Sequence, residues 1–518
     1  MSREPILISG GWRESRGADD FIATNPATGK SFGVRFPVSS WEDCDAALAA
    51  AEEAFRGMRE MPAEAFAAFL TAYAAEIERR TDAFVETAHQ ETALAKTPRL
   101  KDVELPRTTD QLRKAASAAV DPAWRLPVID TEANLRSCLE PLGPCLVIGP
   151  NNFPFAYNGL AGGDFAAAIA GGNPVIGKAH PLHPNTTRLF AEAALAASEQ
   201  TGMPSGAVQL LYHMAPENGL KMVADPRLAA AAFTGSRRTG LSLMEVADRH
   251  GKPIFLEMSS INPVVILPGA LRENMEKVVK EFVSSCLLAC GQFCTSPGFV
   301  ILLEGDQTDA YLAEIQRRFV EAPTGALLSF DVRDNAVKGI QAWREAGAEL
   351  LVGGSALQGP AAAVENTLLR VSGAKYLENA DALQQECFGP ASLQVIAKDV
   401  DEALAIIRTL DGQLTGGVYS ATESFRRRGD DGDEDAYRLL APELAQRVGR
   451  LLNDKMPPGV AVSPAQNHGG PFPATGHPHF TAVGFPASLR RFTKLTCYDH
   501  VRPERLPATL RDPLPCTE

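Results

Sequence analysis

Ten consecutive residues, Ala289-Cys290-Gly291-Gln292-Phe293-Cys294-Thr295-Ser296-Pro297-Gly298, set a thiol among small side chains just after an apolar segment. Thirty-seven residues before Cys294, a lone carboxylate stands in Phe255-Leu256-Glu257-Met258-Ser259-Ser260. A thiol that attacks a carbonyl carbon and a carboxylate that later takes a proton from water suffice for covalent catalysis, if the fold joins them. A free thiol ionises near pH ~8.5 and is the strongest common side-chain nucleophile near neutrality. Taken alone, a cysteine is more often a small buried hydrophobe.

Further segments bear on that choice. Pro150-Asn151-Asn152-Phe153-Pro154 comes directly after a strand-like run, and the Asn152 amide can donate to a developing oxyanion. Gly172-Asn173-Pro174-Val175-Ile176-Gly177-Lys178 puts Lys178 at the carboxyl end of a strand, where open α/β sheets bind ligands. In Phe233-Thr234-Gly235-Ser236-Arg237-Arg238-Thr239-Gly240, a strand closes and a helix opens, so backbone N–H groups near two glycines can meet a phosphate. The G-x-G-x-x-G fingerprint is absent there. Gln385-Glu386-Cys387-Phe388-Gly389-Pro390 offers a carboxylate and a ring that can flank a ribose. Each segment alone also fits a plain turn or a surface side chain. Cys286, Cys290 and Cys294 recur every four residues but match no common ligand spacing, so no metal site is expected.

Strands and helices alternate around these residues. Strand-like runs at 144–150, 174–178, 208–212 and 228–233 are separated by helical runs at 160–170 and 186–201, which predicts βαβ units and a parallel sheet. A second series runs from 253: strands at 253–257, 262–267, 299–303, 349–352, 393–396 and 412–420, with helices at 272–288, 308–319, 331–346, 401–410 and 436–452. Alanine-rich helices fill 40–119, and residues 5–12 suggest a short hairpin arm. Residues 126–141 and 486–500 have extended texture, 429–434 form an acidic solvated loop, and 460–484 are loop.

The chain has 518 residues, 45% hydrophobic and 22% charged, enough for two or three packing units. A net charge of −13 argues against nucleic-acid binding. No apolar run is long enough for a membrane span or a signal peptide, and nine scattered cysteines fit a reducing cytoplasm better than a disulfide framework.

Taken together, in order and spacing, these motifs resemble the aldehyde dehydrogenase superfamily from Asn25 to about Phe492. The resemblance implies that Cys294 attacks the aldehyde and that Asn152 and the Cys294 backbone N–H hold the oxyanion. A nicotinamide takes the hydride, and Glu257 activates water to release the acid from a thioester. It further implies that Lys178 contacts the adenosine ribose and that Gly235, Ser236 and Gly240 lie near the pyrophosphate. Glu386 and Phe388 would flank the nicotinamide ribose. The implied fold is α/β, with two doubly wound parallel-sheet domains and an extended oligomerisation arm. The expected division is 1–125 with 148–257 for the dinucleotide, 258–485 for catalysis, 126–147 with 486–500 for the arm, and 501–518 as a tail.

Several departures point to a branch. Asn151 stands where tryptophan is usual, and Glu257-Met258-Ser259-Ser260 replaces Glu-Leu-Gly-Gly. Together with Ala179-His180-Pro181-Leu182-His183-Pro184 and Asn467-His468-Gly469-Gly470-Pro471-Phe472-Pro473-Ala474-Thr475, these resemble the branch of 2,5-dioxovalerate (α-ketoglutaric semialdehyde) and NADP-dependent aldehyde dehydrogenases. Pro181 occupies the position where NAD-preferring members carry a glutamate, and a carboxylate there would repel a 2′-phosphate by roughly 1–4 kcal/mol. Lys178 and His180 add positive character, so NADP is expected, with NAD possible. Gln292 and Asn467 are candidate amide donors to a keto-acid aldehyde. The arm implies a homodimer or homotetramer, since pairing covers an exposed edge. Three rivals remain: a dehydrogenase for another semialdehyde or for a fatty or aromatic aldehyde; coenzyme A-acylating or thiol-esterase chemistry, of which Glu257 disfavours the acylating type; and a non-catalytic scaffold, which the retained Cys294, Glu257, Asn152 and Lys178 disfavour.

Overall fold

The computed structural model describes residues 3–426, 432–479 and 481–511. Two seven-stranded sheets organise it. The first runs in the order Ile254–Glu257, Ala230–Thr234, Cys145–Ile148, Val175–Lys178, Val208–Leu211, Ile6–Ile8, Gly11–Arg13. Its first five strands are parallel, and the N-terminal hairpin joins antiparallel as an edge. These strands are short apolar runs buried on both faces, as parallel strands covered by crossover helices must be. Helices such as Ala63–Arg79, Leu105–Val120 and Pro184–Thr201 pack on it through alanine and aromatic faces.

The second sheet has the order Glu349–Val352, Thr367–Ser372, Ala391–Ala397, Phe299–Leu303, Val264–Ile266, Gln413–Tyr419, Val448–Asn453. Only the first of these pairs antiparallel. Alternate residues serve opposite faces. Val265, Phe299 and Ile301 enter one core, and Val264, Ile266, Val300 and Leu302 enter another. Helices therefore cover both faces, and the fold is doubly wound in both halves.

A third sheet pairs Val128–Asp130, Leu135–Pro141 and Thr493–Asp499 antiparallel. Val128 is 61% exposed and Leu495 69% exposed. The described part of the tail closes on it: Leu506 and Leu510 pack on Cys138, and Arg136 donates to the Leu510 carbonyl at 2.5 Å.

Four expectations need correcting. Residues 145–147, assigned to the arm, begin a central strand of the first sheet, because Cys145, Leu146 and Val147 are wholly apolar and pair on both sides. Residues 448–452, expected as helix, form the edge strand Val448–Asn453. The strand Thr367–Ser372 is absent from the expected series. Of the acidic stretch 429–434, residues 429–431 lie outside the described residues. Asp433 is not solvated: it is 1% exposed and accepts from the backbone N–H groups of Gly269, Ala270 and Ala421. Among the described residues, no helix is long and apolar enough to cross a membrane.

Candidate active site

The thiol is set by a turn that few residues adopt. After the helix Pro268–Cys286, Ala289, Cys290 and Gly291 all have positive φ (48°, 57° and 71°). A Cβ on Gly291 would lie 2.0 Å from the Gly389 carbonyl oxygen, so this turn packs directly on the loop that carries Glu386. Three amide contacts then fix the loop. Asn152 Nδ2 donates to the Gln292 carbonyl at 2.9 Å. Asn262 Nδ2 donates to the carbonyls of Cys294 and Ser296, each at 2.9 Å. Asn152 has a second N–H on the same nitrogen, and it lines the cleft beside Cys294. Cys294 itself is half-buried, with Phe153, Tyr157 and Val483 around it.

Glu257 ends its strand. Its carbonyl accepts from Gly235 N at 3.0 Å, and Met258 N donates to Ala474 O at 2.8 Å. An antiparallel bridge between Glu257 and Thr475 draws the C-terminal loop alongside. That loop delivers His468, buried, whose Nε2 lies 2.8 Å from Glu257 Oε1 and 3.6 Å from Cys294 Sγ. Thr481 Oγ1 accepts from the His468 backbone N–H at 2.8 Å. Ligand atoms of Glu257, Cys294 and His468 all lie within 4.8 Å of one another. Glu257 is 6% exposed, and its Oε2 has no hydrogen-bond partner among the described residues. Burial, and then the Glu257 charge, push the Cys294 thiol well above its ordinary range.

A cleft of about 200 Å³ opens onto these atoms, lined by Asn152, Thr234, Gly235, Ser236, Glu257, Ser259, Cys294, Glu386 and Phe388. Ser236 caps the helix Arg237–Arg249, accepting from Thr239 N at 3.4 Å. Gly240 lies buried inside that helix and off the cleft: a Cβ there would meet Met258 Sδ at 2.6 Å, so glycine serves helix–strand packing rather than phosphate approach. The Glu386 carboxyl is pushed up to about 7, chiefly by burial, against hydrogen bonds from the Ser259 hydroxyl and the Ser260 backbone. The two serines that replace the usual glycines thus hold the carboxylate expected to meet a ribose.

The adenosine-end residues sit together after the strand Val175–Lys178. Burial alone brings Lys178 down to about 8, and no carboxylate among the described residues pairs with it. His180 does not add positive charge. Burial and the nearby His183, Lys178 and His213 drive its pKa well below the usual value, and its Nδ1 accepts from Leu182 N at 3.2 Å. The substrate guesses also fail geometrically. Gln292 is 2% exposed, with its Oε1 accepting from Leu328 N and its Nε2 donating to Ala289 O. Asn467 Nδ2 donates to Gly449 O at 3.0 Å, off the cleft. The neighbour of Asn467, His468, is the residue that reaches the sulfur. Its only sequence signal is the adjoining Gly469-Gly470: Cβ atoms on Gly449 and Gly470 would lie 1.9 and 2.2 Å from carbonyl oxygens of Gly469 and Gln413.

Residues 12–428 match the model of the aldehyde dehydrogenase family. The chain belongs to the aldehyde dehydrogenase family. It is an NAD(P)-dependent aldehyde-oxidising enzyme, and His468 lies beyond the matched segment. Among curated relatives, the alpha-ketoglutaric semialdehyde dehydrogenase 2 of Azospirillum brasilense is 37% identical over 511 residues, covering 95% of this chain and 94% of that one. The alpha-ketoglutaric semialdehyde dehydrogenase of Acinetobacter baylyi is 33% identical, with 97% and 95% covered. The solved 1-pyrroline-5-carboxylate dehydrogenase from Thermus with bound NAD superposes with a TM-score of 0.82 at 24% identity, covering 96% and 92%, which shows the shared fold.

Two arginines of this aldehyde dehydrogenase whose charges bear on Cys294 carry no signal in the sequence. Arg107, on the helix Leu105–Val120, donates to Val460 O at 2.6 Å and lies 5.5 Å from the Tyr157 ring centre. Arg450, on the strand Val448–Asn453, is partly buried. The charges of both are felt at Cys294, Arg107 acting to lower the thiol pKa. Nothing in their local sequence sets them apart from other arginines.

Proposed function

We propose that this enzyme oxidises a short α-keto semialdehyde, 2,5-dioxopentanoate being the best fit, with NADP preferred over NAD. The observation that carries the substrate is the pair Arg107 and Arg450, whose charges reach a sulfur otherwise walled by Phe153, Tyr157 and Val483. An apolar chamber with two cations suits a chain bearing an aldehyde at one end and a carboxylate at the other. The two curated relatives named for α-ketoglutaric semialdehyde support the same reading.

In the proposed reaction the Cys294 sulfur bonds to the aldehyde carbon, and its proton passes to the Glu257 carboxylate within 4.8 Å. The second Nδ2–H of Asn152 and the Cys294 backbone N–H hold the resulting oxyanion. A nicotinamide bound in the cleft would supply the hydride acceptor for the carbon on sulfur. The residues fit such a group: Thr234 to Ser236 border the cleft at a capped helix start, and Glu386 and Phe388 stand across from them. Once the thioester has formed, Glu257 passes the thiol's proton on to solvent. With His468 Nε2 2.8 Å from its Oε1, it then takes a proton from the water that cleaves the thioester, and the departing Cys294 thiolate is reprotonated. Lys178 supports NADP as a cation that no carboxylate among the described residues offsets. The arm, with Val128 and Leu495 exposed, supports a homodimer or dimer of dimers, to be checked by sedimentation.

A panel of aldehydes tests the reading by nicotinamide absorbance. The expected kcat/KM for 2,5-dioxopentanoate exceeds that for pentanal by roughly 100-fold, and Arg107→Met removes most of that margin. Equal rates for charged and uncharged aldehydes would refute the substrate. A lower KM for NAD than for NADP at pH 7 would refute the cofactor preference.

A further inference from the structure

We infer that Cys294, His468 and Glu257 form a site for Zn²⁺ that reversibly locks the enzyme with its nucleophile engaged. The three side chains come from distant segments yet bring one ligand atom each together: Sγ, a ring nitrogen and a carboxylate oxygen, all within 4.8 Å of one another. Sulfur, imidazole nitrogen and carboxylate oxygen are the donor set that zinc takes, with bonds of about 2.3, 2.0 and 2.1 Å. Tetrahedral zinc would set sulfur and nitrogen about 3.5 Å apart, and nitrogen and oxygen about 3.4 Å apart. The observed separations are 3.6 Å and 2.8 Å, so the sulfur–nitrogen edge already fits and the nitrogen–oxygen edge has to open by about 0.6 Å.

The geometry is that of a chelate rather than of a proton relay. A thiol–imidazole–carboxylate relay uses both ring nitrogens, one toward each partner. Here a single nitrogen, Nε2, faces both the sulfur and the carboxylate. A second observation points the same way: Glu257 Oε2 is buried with no hydrogen-bond partner among the described residues, in a residue only 6% exposed. A cation at the centre would give that unpartnered oxygen a ligand. The cleft beside Cys294 leaves the fourth coordination position for water.

Binding balances simply. Zinc binds the Cys294 sulfur as thiolate, with the thiol proton going to solvent, His468 through an Nε2 that carries no proton, and Glu257 through a carboxylate oxygen. With its sulfur lone pair donated to the metal, Cys294 no longer attacks an aldehyde, so zinc inhibits rather than assists. This rests on Cys294 being the nucleophile, as proposed above. Loss of turnover in Cys294→Ala tests that separately from metal binding.

The experiment uses the full-length chain, freed of metal by a chelator and then dialysed. Added Zn²⁺ is expected to slow iodoacetamide labelling of Cys294, read by peptide mass spectrometry, by roughly tenfold or more, while Mg²⁺ does not. Co²⁺ in place of Zn²⁺ is expected to give a thiolate-to-metal charge-transfer band that Cys294→Ala abolishes and His468→Ala weakens by roughly tenfold in affinity. Chelator restores both labelling and turnover. Should His468→Ala not fold, as judged by circular dichroism, His468→Gln serves in its place. Unchanged labelling of Cys294 under inhibiting zinc would overturn the inference and move the metal to another thiol, such as the exposed Cys497. A full-strength cobalt band in both His468 variants would overturn it as well.

Discussion

The two seven-stranded sheets meet the cleft with opposite ends. The first contributes residues at or just past the carboxyl ends of its strands: Asn152 just beyond Ile148, Gly235 and Ser236 just beyond Thr234, and Glu257 ending Ile254–Glu257. The second contributes residues ahead of its strands: Cys294 five residues before Phe299, Glu386 five before Ala391, and Ser259 five before Val264. Ligands gather at carboxyl ends of open α/β sheets because crossover loops and helix N-termini converge there. The second sheet gains its place by another route: tight turns, two positive-φ residues before a glycine, and buried amides that hold carbonyls. One half of the site is thus generic to its topology, whereas the other depends on individual side chains.

That contrast predicts where damage is greatest. Cys294→Ala on the second side should lower kcat by more than about 10³-fold with the melting temperature little changed. Retained turnover would break the covalent scheme. Gly291→Ala should come next, since the new methyl meets a backbone oxygen at 2.0 Å in a left-handed conformation. A stability loss of about 3 kcal/mol or more is expected in urea unfolding, and a neutral result would show that the two loops do not depend on each other. Asn262→Ala removes both clamps on the thiol loop and should cost about 10- to 100-fold in kcat, with KM for cofactor less affected. An equal rise in cofactor KM would mean that the loop serves the cofactor as much as the sulfur.

The smallest effect is one of pH. Glu386 has its carboxyl at about 7, raised above the ordinary value of 4.5. Below that pH it is protonated and a poorer acceptor for ribose hydroxyls. Cofactor KM should therefore fall severalfold as pH rises from 6 to 8, and Glu386→Gln should flatten the profile. The same raised pKa means that folding loses stability as pH rises from about 4.5 through 7, because the folded state binds the proton more tightly than the unfolded chain. A cofactor KM that rises over this range would remove Glu386 from the ribose.

Legibility in the sequence divides in the same way. Lys178, Gly235, Ser236 and Glu257 belong to strand ends, and an apolar run leading into a turn announces them. Cys294 and Glu386 are legible through their family motifs. Arg107, Arg450, Asn262 and His468 come near the sulfur only because separate segments fold together, and no local pattern distinguishes such an arginine from one that faces water. Gln292 and Asn467 mislead for the matching reason: an amide close in sequence to a reactive residue is often what its backbone uses to hold itself in place. Gly240 shows a third case, in which the residue is expected but its reason is not, since its missing side chain makes room for Met258.

The bridge between Glu257 and Thr475 has a consequence for synthesis. A ribosome that has added residue 460 has already exposed the sulfur and the carboxylate, yet the imidazole that stands between them is still to come. A segment 211 residues after Glu257 therefore brings the imidazole to the pair, and a polypeptide released before it carries the sulfur and the carboxylate without the side chain that stands beside both.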